Sequence, residues 1–201
     1  MSRELADEKR GYLMEVCKAL DVSKEILEKA SKVKLLLMDV DGVLTSGQLF
    51  YVPGPDGLPA EFKAFNSQDG LGIHMLHSVG IKTGVISGRD SIATTERARI
   101  LKMSHVYQGF LEKEEIFENI LKEESLTAEQ ACFVGDDFTD APLIKASGFG
   151  CCVGNARPEL KGMADYITTA SGGEGAIREI AELILKSQDQ WDGLLRKYKF
   201  I

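Results

Sequence analysis

A short apolar run that ends in two acidic residues constrains this chain more than any other feature. The segment from Lys34 to Thr45 reads KLLLMDVDGVLT, and its apolar part is too short for a helix. A continuous apolar run of this length is typical of a strand buried on both faces, as in a parallel sheet. Buried carboxylates are costly unless they are paired or bind a metal. Asp39 and Asp41 therefore predict a metal or phosphoryl-transfer site at the carboxyl end of this strand.

The composition is that of a globular protein with an acidic surface. The chain has 201 residues, 44% of them hydrophobic, and a formal net charge of −7, so we expect one domain with a real core. The acidic balance argues against a nucleic-acid partner. No apolar run approaches the ~20 residues that span a bilayer, and the charged first thirty residues are unlike a signal peptide. With four cysteines and no CxxC pair, we expect a reduced, cytoplasmic protein with three buried free thiols.

Predicted helices and strands alternate along most of the chain. This alternation implies right-handed crossovers and helices on both faces of a sheet, so the predicted fold class is α/β, a doubly wound parallel sheet (Rossmann-like). Residues 47–65 interrupt the pattern with a strand, a turn containing three of the five prolines, and a second strand, which predicts a β-hairpin insertion. The predicted strands of the sheet are 33–39, 81–87, 105–107, 131–135, 150–153 and 166–168, and the predicted helices are 3–30, 68–79, 90–102, 113–124, 141–147, 158–163 and 174–186.

These elements divide the chain into three predicted parts. Residues 1–31 form an N-terminal helical extension, residues 32–187 form the core with its hairpin at 47–65, and residues 188–201 form a C-terminal tail. The tail is polar but carries apolar residues such as Trp191, so we expect it to dock on the rest of the protein.

Polar residues follow four successive predicted strands of the core. Each group alone is a weak signal, but their occurrence in this order, each at a strand end, is hard to obtain by accident. Because the carboxyl ends of parallel strands meet at one edge of the sheet, these groups are expected to converge there. They are Asp39 with Asp41, then Ser87-Gly88-Arg89, then Lys113, then Gly135-Asp136-Asp137 with Asp140.

The chemistry of these groups suits phosphoryl transfer. Asp39 can attack phosphorus and form an aspartyl phosphate, and Asp41 can protonate the leaving alkoxide and later activate water. Mg²⁺, which takes oxygen ligands, would offset the repulsion between phosphate and carboxylate. Its predicted protein ligands are Asp39, Asp136 and the backbone carbonyl of Asp41. Lys113 adds positive charge, and Ser87 with neighbouring N–H groups can hold phosphate oxygens.

These motifs resemble the haloacid dehalogenase superfamily over about residues 33–187. The shared features are the DxDGxL/T opening at 39–45, the strand-end Ser87, Lys113 and the GDDxxD block at 135–140. In that superfamily an acidic residue at the position of Asp41 goes with phosphatases. The resemblance therefore implies a phosphoric monoester hydrolase.

The spacing of the motifs leaves no room for a cap domain. The interval between Asp39 and Ser87 holds only the hairpin and one helix, and the interval between Lys113 and Asp136 holds only one helix. We therefore expect an open site with no cap domain, which discriminates poorly between substrates unless another subunit covers it.

Four further segments look like the capless branch that dephosphorylates 3-deoxy-D-manno-octulosonate 8-phosphate in lipopolysaccharide precursor synthesis. These segments are 63–66, 69–73, 107–109 and 172–179. Members of that branch are homotetramers, and the resemblance implies that the hairpin 47–65 is the tetramerisation element. The tail near Trp191 could reach a neighbouring site. The substrate-binding residues assigned by the resemblance are Lys63, Asn66, Gln68, Ser87, Gly88 and Arg89.

Two positions leave a second substrate class open. Gln68 and Glu174 stand where the capless branch usually has arginine, and both changes remove positive charge that could face a substrate carboxylate. A nine-carbon keto-deoxy sugar acid 9-phosphate, of the nononate or acylneuraminate type, is therefore the alternative substrate.

Two other protein classes use similar residues. A signalling receiver domain also places acidic residues and a lysine around a phosphorylated Asp, but its paired acids end the first strand and its phosphoacceptor the third, an order that differs from this chain. A non-catalytic regulatory subunit is disfavoured because Asp39, Asp41, Lys113 and Asp136 are all present.

Some polar residues also have a purely structural explanation. His74 and His77 could bind a metal from one helix face, but a surface or packing role is the simpler hypothesis. Arg89 could contact the substrate or pair with the following helix. Asp140 could orient Lys113 or simply begin a helix.

Overall fold

Six parallel strands form one central sheet in the computed structural model, which describes residues 22–54 and 56–201. In that part of the chain the strands are β1 Leu35–Met38, β2 Phe50–Pro53, β3 Pro59–Phe62, β4 Lys82–Ile86, β5 His105–Tyr107, β6 Ala131–Gly135, β7 Phe149–Cys152 and β8 Tyr166–Ile167. The helices described there are α1 Lys24–Ala30, α2 Ser67–Ser78, α3 Ile92–Leu101, α4 Glu114–Glu124, α5 Ala141–Ala146, α6 Pro158–Lys161, α7 Ala176–Ser187 and α8 Trp191–Lys197.

The sheet has the doubly wound strand order that the sequence predicts. The order is β5-β4-β1-β6-β7-β8, so the chain moves outwards from β1 in one direction and then outwards from β6 in the other. The switch point lies between β1 and β6, where open α/β sheets bind their ligands beyond the carboxyl ends of the strands. The predicted α/β fold is confirmed, and the part of the chain that the structure describes holds no cap domain over this edge.

The strand that opens the fold is buried on both faces, as its unbroken apolar sequence predicts. The four side chains of β1 are fully buried, and β6 beside it is buried along its whole length. Burying one large aliphatic side chain contributes about 1.5–3 kcal/mol relative to leaving it exposed. The centre of the sheet therefore fixes the position of whatever follows β1 and β6.

The helices cover this sheet with apolar faces. In α4 the buried residues Ile116, Phe117, Ile120 and Leu121 repeat at helical spacing. The helix begins after Lys113 and ends at Ser125, whose φ of 54° turns the chain away in the left-handed conformation. Lys113 is therefore placed by the first turn of a helix that is itself held against the core.

The N-terminal and C-terminal parts match the predictions only in part. Of the predicted helix 3–30, the structure describes α1, and residues 3–21 lie outside the described residues. Leu27 of α1 is fully buried in the core. The tail docks as predicted, with Leu194 buried and Lys186 Nζ 4.7 Å from the centre of the Trp191 ring, and it contains helix α8, which the sequence analysis missed. The three-part domain division stays a prediction.

The hairpin is present at the predicted place and has two chemically different faces. Strands β2 and β3 pair antiparallel, with Phe50 opposite Phe62 and Tyr51 opposite Glu61. Because side chains alternate across a strand, Phe50, Val52 and Phe62 share one face, and all three are exposed. The other face carries Tyr51 and Glu61. An isolated two-stranded hairpin is marginally stable, so its attachment to the core matters.

The cysteines and the length of the apolar helices can be examined in the described residues. Cys132, Cys151 and Cys152 are free and buried, as predicted, and Cys17 lies outside the described residues. Between residues 22 and 201, leaving out residue 55, no helix is long and apolar enough to cross a membrane.

Candidate active site

The predicted strand-end residues meet at the carboxyl edge of the sheet, beside the switch point. Lys113 Nζ lies 3.2 Å from Asp39 Oδ1 and 2.7 Å from Asp140 Oδ1. Asp39, Asp136 and Asp140 each offer a carboxylate oxygen, and these oxygens lie within 4.8 Å of one another. The ammonium group of Lys113 thus contacts two carboxylates, and a third, that of Asp136, lies beside them.

The charge of Lys113 is maintained in spite of burial. Its side chain is 1% exposed, and burial by itself lowers the pKa of an ammonium group. The charges of Asp39 and Asp140 outweigh this effect and leave the pKa of Lys113 above its ordinary value. A cation is therefore fixed beside Asp39 across the physiological pH range.

Asp140 anchors two parts of the site with its two oxygens. Oδ1 accepts the hydrogen bond from Lys113 Nζ, and Oδ2 accepts the backbone N–H groups of Asp136 at 2.9 Å and Asp137 at 3.4 Å. It fits here because Gly135 has no side chain, and a Cβ at that position would lie 2.3 Å from the Cβ of Asp140. Of the two roles open from the sequence, the structure supports orientation of Lys113.

The surroundings of Asp39 and Asp136 disfavour the charged form of both carboxyl groups. Burial, followed by the charge of Asp140, raises the pKa of Asp39 to about 6, although Lys113 opposes the shift. Burial and the neighbouring carboxylates raise the pKa of Asp136 to about 8. Asp136 Oδ1 is buried and has no hydrogen-bond partner among the described residues. Both carboxylates are therefore suited to a positively charged ligand.

The loop after β1 passes directly beside Asp136. Gly42 has φ +97°, and a Cβ there would lie 2.1 Å from Asp136 Oδ2, so the carboxylate of Asp136 packs against the backbone at Gly42. Thr45 holds this loop together, since its Oγ1 accepts N–H groups of Gly42 and Gly47 at 3.4 and 3.2 Å.

This arrangement fits a divalent cation of the Mg²⁺ type. Mg²⁺ takes oxygen ligands from one or two carboxylates, and Asp39 and Asp136 offer them. The unpartnered Oδ1 of Asp136 supports the fit. Asp140 is close enough to contribute, but both of its oxygens already have donors.

Two basic residues face Asp41, Lys63 at the end of the hairpin and Arg89 after β4. Lys63, which is almost fully buried, donates a hydrogen bond to Asp41 Oδ1, and Arg89 Nε lies 3.4 Å from Asp41 Oδ2. Glu61 lies between the two bases, 2.5 Å from Arg89 Nη2 and 3.4 Å from Lys63 Nζ. Arg89 therefore pairs with the hairpin rather than with the helix that follows it.

The sequence analysis missed Glu61, although a signal was present. Glu61 and Lys63 are two residues apart on a predicted strand, so they project from the same face. That face also holds Tyr51, whose hydroxyl lies 3.3 Å from Arg89 Nη2. Burial raises the pKa of Glu61, but the hydrogen bond from Arg89 and the charge of Lys63 outweigh this effect and lower the pKa overall.

The other predicted substrate-binding residues lie around the same edge. Ser87 is buried, and its Oγ accepts the N–H of Arg89 at 3.3 Å. Asn66 begins α2 by accepting the N–H of Gln68 at 2.7 Å and donates to the carbonyl of Gly173 at 3.2 Å. Gly88 follows Ser87, and a Cβ there would lie 2.8 Å from a methyl group of Leu111. Gln68 is exposed.

Two of the three histidines have structural partners, and the third, His74, is exposed. His77 Nε2 lies 2.7 Å from Thr83 Oγ1, and His105 Nε2 lies 2.8 Å from Glu124 Oε1. In residues 22–54 and 56–201, the group of side chains placed to hold a metal consists of aspartates. This supports the packing hypothesis for His77.

Comparison with known proteins agrees with this geometry. A model of the haloacid dehalogenase-like hydrolase family matches residues 94–180. The 3-deoxy-D-manno-octulosonate 8-phosphate phosphatase KdsC of Escherichia coli strain K12 is 37% identical over 171 residues, which cover 85% of this chain and 89% of that protein.

Solved structures give the same picture. The 3-deoxy-D-manno-octulosonate 8-phosphate phosphatase of Moraxella catarrhalis, determined with magnesium, phosphate and KDO, is 39% identical with a TM-score of 0.82 and covers 87% of this chain and 98% of its own. The cobalt-bound deoxy-D-mannose-octulosonate 8-phosphate phosphatase of Haemophilus influenzae is 39% identical with a TM-score of 0.75, covering 80% and 92%. The chain belongs to the haloacid dehalogenase-like hydrolases and, among them, to the 3-deoxy-D-manno-octulosonate 8-phosphate phosphatase family.

Proposed function

We propose that this protein is a Mg²⁺-dependent phosphatase that hydrolyses 3-deoxy-D-manno-octulosonate 8-phosphate. The observation that carries the proposal is the buried Lys113 held between Asp39 and Asp140 at the switch point, with Asp136 alongside. The similarity to the Moraxella catarrhalis enzyme, whose structure contains magnesium, phosphate and KDO, supports both the ion and the substrate.

In the proposed reaction Asp39 is the nucleophile. Its carboxylate attacks phosphorus, the bond from phosphorus to the sugar oxygen breaks, and an aspartyl phosphate forms. Asp41 gives a proton to the departing alkoxide and later accepts one from the water that hydrolyses the aspartyl phosphate. Lys113 faces Asp39 and provides positive charge where negative charge develops. Ser87 and neighbouring N–H groups hold phosphate oxygens.

The proposed metal ligands are Asp39, Asp136 and the backbone carbonyl of Asp41. When bound, Mg²⁺ neutralises part of the phosphate charge and orients the phosphate for in-line attack. Asp140 holds Lys113 and the backbone at Asp136 in place, so the arrangement exists before a ligand arrives.

The bases around Asp41 are proposed to receive the sugar acid. Lys63 and Arg89 lie at the site with Ser87 and Gly88, and Asn66 and Gln68 begin the helix beside it. Glu61 pairs with both Lys63 and Arg89 and neutralises part of their positive charge.

The nine-carbon alternative rests on Gln68 and Glu174. Both are exposed, and the structure brings their segments together, since Gln68 Oε1 lies 3.6 Å from where a Cβ on Gly175 would be. Two arginines in this place would create a strongly positive region, and this chain has a neutral and an acidic residue instead.

The hairpin is proposed to assemble a homotetramer. Its outer face exposes Phe50 and Phe62, which pack edge to face with ring centres 6.3 Å apart, and Val52 beside them. Exposed apolar groups of this kind mark interaction sites. We further propose that the enzyme acts in the cytoplasm on a lipopolysaccharide precursor.

Substrate preference tests the proposed function directly. With Mg²⁺ present, kcat/KM for octulosonate 8-phosphate should exceed that for nine-carbon 9-phosphates by at least about tenfold, a difference of about 1.4 kcal/mol in transition-state binding. The reverse preference would establish the alternative. In that case Gln68→Arg and Glu174→Arg are the variants expected to shift the preference towards the eight-carbon acid.

Replacing the nucleophile tests the covalent mechanism. Asp39→Asn removes the attacking carboxylate with little change of volume, so phosphate release should fall by at least roughly 10³-fold while the fold is retained. Asp192→Asn, which alters an exposed carboxylate on α8, should leave activity unchanged. Near-normal turnover by Asp39→Asn, with an unchanged circular dichroism spectrum, would contradict an aspartyl phosphate.

Mg²⁺ binding should depend on pH in a defined direction. The carboxyl of Asp136, with its pKa raised to about 8, must lose a proton before it can bind a cation. The apparent affinity should therefore rise by roughly tenfold per pH unit between about pH 6, above which Asp39 is mostly ionised, and about pH 8, and then level off. Calorimetric titration at several pH values measures this, and an affinity that is constant between about pH 6 and 8 would contradict it.

Charged substitutions on the outer face of the hairpin test the assembly. Phe50→Glu with Phe62→Glu should convert the tetramer into monomers, because carboxylates cannot be buried unpaired at an interface. The matched control is Ile100→Glu, which changes an exposed apolar residue on α3. Sedimentation velocity distinguishes the species, and a double variant that sediments as a tetramer would exclude the hairpin as the assembly element.

A further inference from the structure

The glycine-rich loop before α7 lies directly against the loop that carries Asp41. A Cβ on Gly172 would be 1.7 Å from the carbonyl oxygen of Gly42, so no side chain fits between them. The N–H of Gly173 donates to the carbonyl of Val43 at 3.0 Å. The backbone after Asp41 is therefore supported on one side by this glycine loop, residues 171–175.

One end of the glycine loop is held by Glu179. Its carboxylate accepts the N–H of Thr169 at 2.9 Å and that of Ala170 at 3.0 Å. The hydroxyl of Tyr166 also donates to it at 2.7 Å. Glu179 lies in the first turn of α7, so the helix holds the strand-to-loop connection that precedes it.

The other end of the loop is held by Asp69, which comes from a different helix. The residue before α7 is Gly175, which has no side chain to satisfy the free N–H groups of the first turn. Asp69 of α2, which is 1% exposed, takes this role, and its Oδ1 accepts the N–H of Arg178 at 2.9 Å. A carboxylate at this end of a helix is also favoured by the helix dipole.

The electrostatic surroundings of Asp69 are dominated by the backbone at the N-terminus of α7 and by Arg97. Burial raises its pKa, and the backbone N–H groups of Arg178, Gly175 and Ile177 act against that shift. The guanidinium of Arg97, the basic group that also lowers this pKa, donates through Nη2 to the carbonyl of Asn66 at 2.9 Å. Asp69 thus joins the start of α2 to the start of α7.

We propose that Asp69 is a positioning residue for catalysis, which acts through the N-terminus of α7 and the glycine loop to hold the Asp41 loop in its working geometry. The catalytic part of this inference rests on the proposed phosphatase function. Asp69 touches none of the groups assigned to the reaction, so its effect passes through Gly172, Gly173 and the carbonyls of Gly42 and Val43. Displacement of a reacting group by 1 Å can cost about 10²-fold in rate.

Two substitutions at this position separate positioning from general stability. Asp69→Ala removes the acceptor, whereas Asp69→Asn keeps an oxygen that can accept the N–H of Arg178. The control is Asp165→Ala, because Asp165 also accepts a backbone N–H, that of Gly150 at 3.0 Å, at the opposite edge of the sheet. Both alanine variants should lose stability in urea denaturation, and only Asp69→Ala should affect the site.

Hydrogen exchange in the metal-free protein gives a measurement that does not depend on activity. In Asp69→Ala the amide of Gly173 should exchange at least about tenfold faster, since its bond to Val43 depends on the anchored loop. The same amide should be unchanged in Asp165→Ala and close to wild type in Asp69→Asn. Unchanged exchange at Gly173 in Asp69→Ala would overturn the proposal, whatever the activity of the wild-type enzyme.

Kinetics then test the catalytic consequence. Asp69→Ala should lower kcat by roughly 10- to 100-fold with KM nearly unchanged, because the loop of Asp41 is loosened while the phosphate-binding residues stay in place. If Asp69→Ala does not fold, Gly172→Ala tests the last link of the proposed chain, since its Cβ displaces the carbonyl of Gly42, and Asp69→Asn tests Asp69 itself. A folded Asp69→Ala or Gly172→Ala variant with wild-type kcat would overturn the proposal, whereas a wild-type protein without phosphatase activity would overturn the proposed function instead.

Discussion

The buried ammonium group of Lys113 is the interaction on which the site depends. It lies between Asp39 and Asp140, and it is nearly excluded from water. Removing one member of a buried ion pair leaves an uncompensated charge and typically costs about 3–5 kcal/mol. Asp140 also holds the backbone at Asp136. It therefore links the loop after β5, which carries Lys113, to the loop after β6, which carries Asp136. The same contacts therefore stabilise the local fold and position the groups of the site.

The sheet explains why the sequence alone predicts so much of this site. Asp39 and Asp136 follow apolar strands, and parallel strands bring their carboxyl ends to one edge irrespective of how far apart they are in the chain. A strand-end residue can therefore be placed from its position in the pattern. The spacing between the motifs was sufficient to predict that there is no cap domain, and the family resemblance added the substrate.

Contacts that depend on the orientation of whole elements could not be predicted in this way. The sequence indicates a hairpin at 47–65, but nothing in its pattern says that Glu61 and Lys63 face Arg89 and Asp41. Asp69 and Arg178 are separated by 109 residues, and their contact follows from the packing of α2 against α7. Helix α8 was missed because its seven residues are too few to show a clear period.

The glycines around the site have a consequence for the evolution of this chain. Gly42 and Gly135 leave space that the carboxylates of Asp136 and Asp140 fill, so each glycine and its acidic neighbour form a unit of shape as well as of charge. A side chain acquired at either glycine must displace the neighbouring carboxylate, even in a protein that retains Asp39, Asp41, Asp136 and Asp140. A comparison restricted to catalytic residues would overlook such a change.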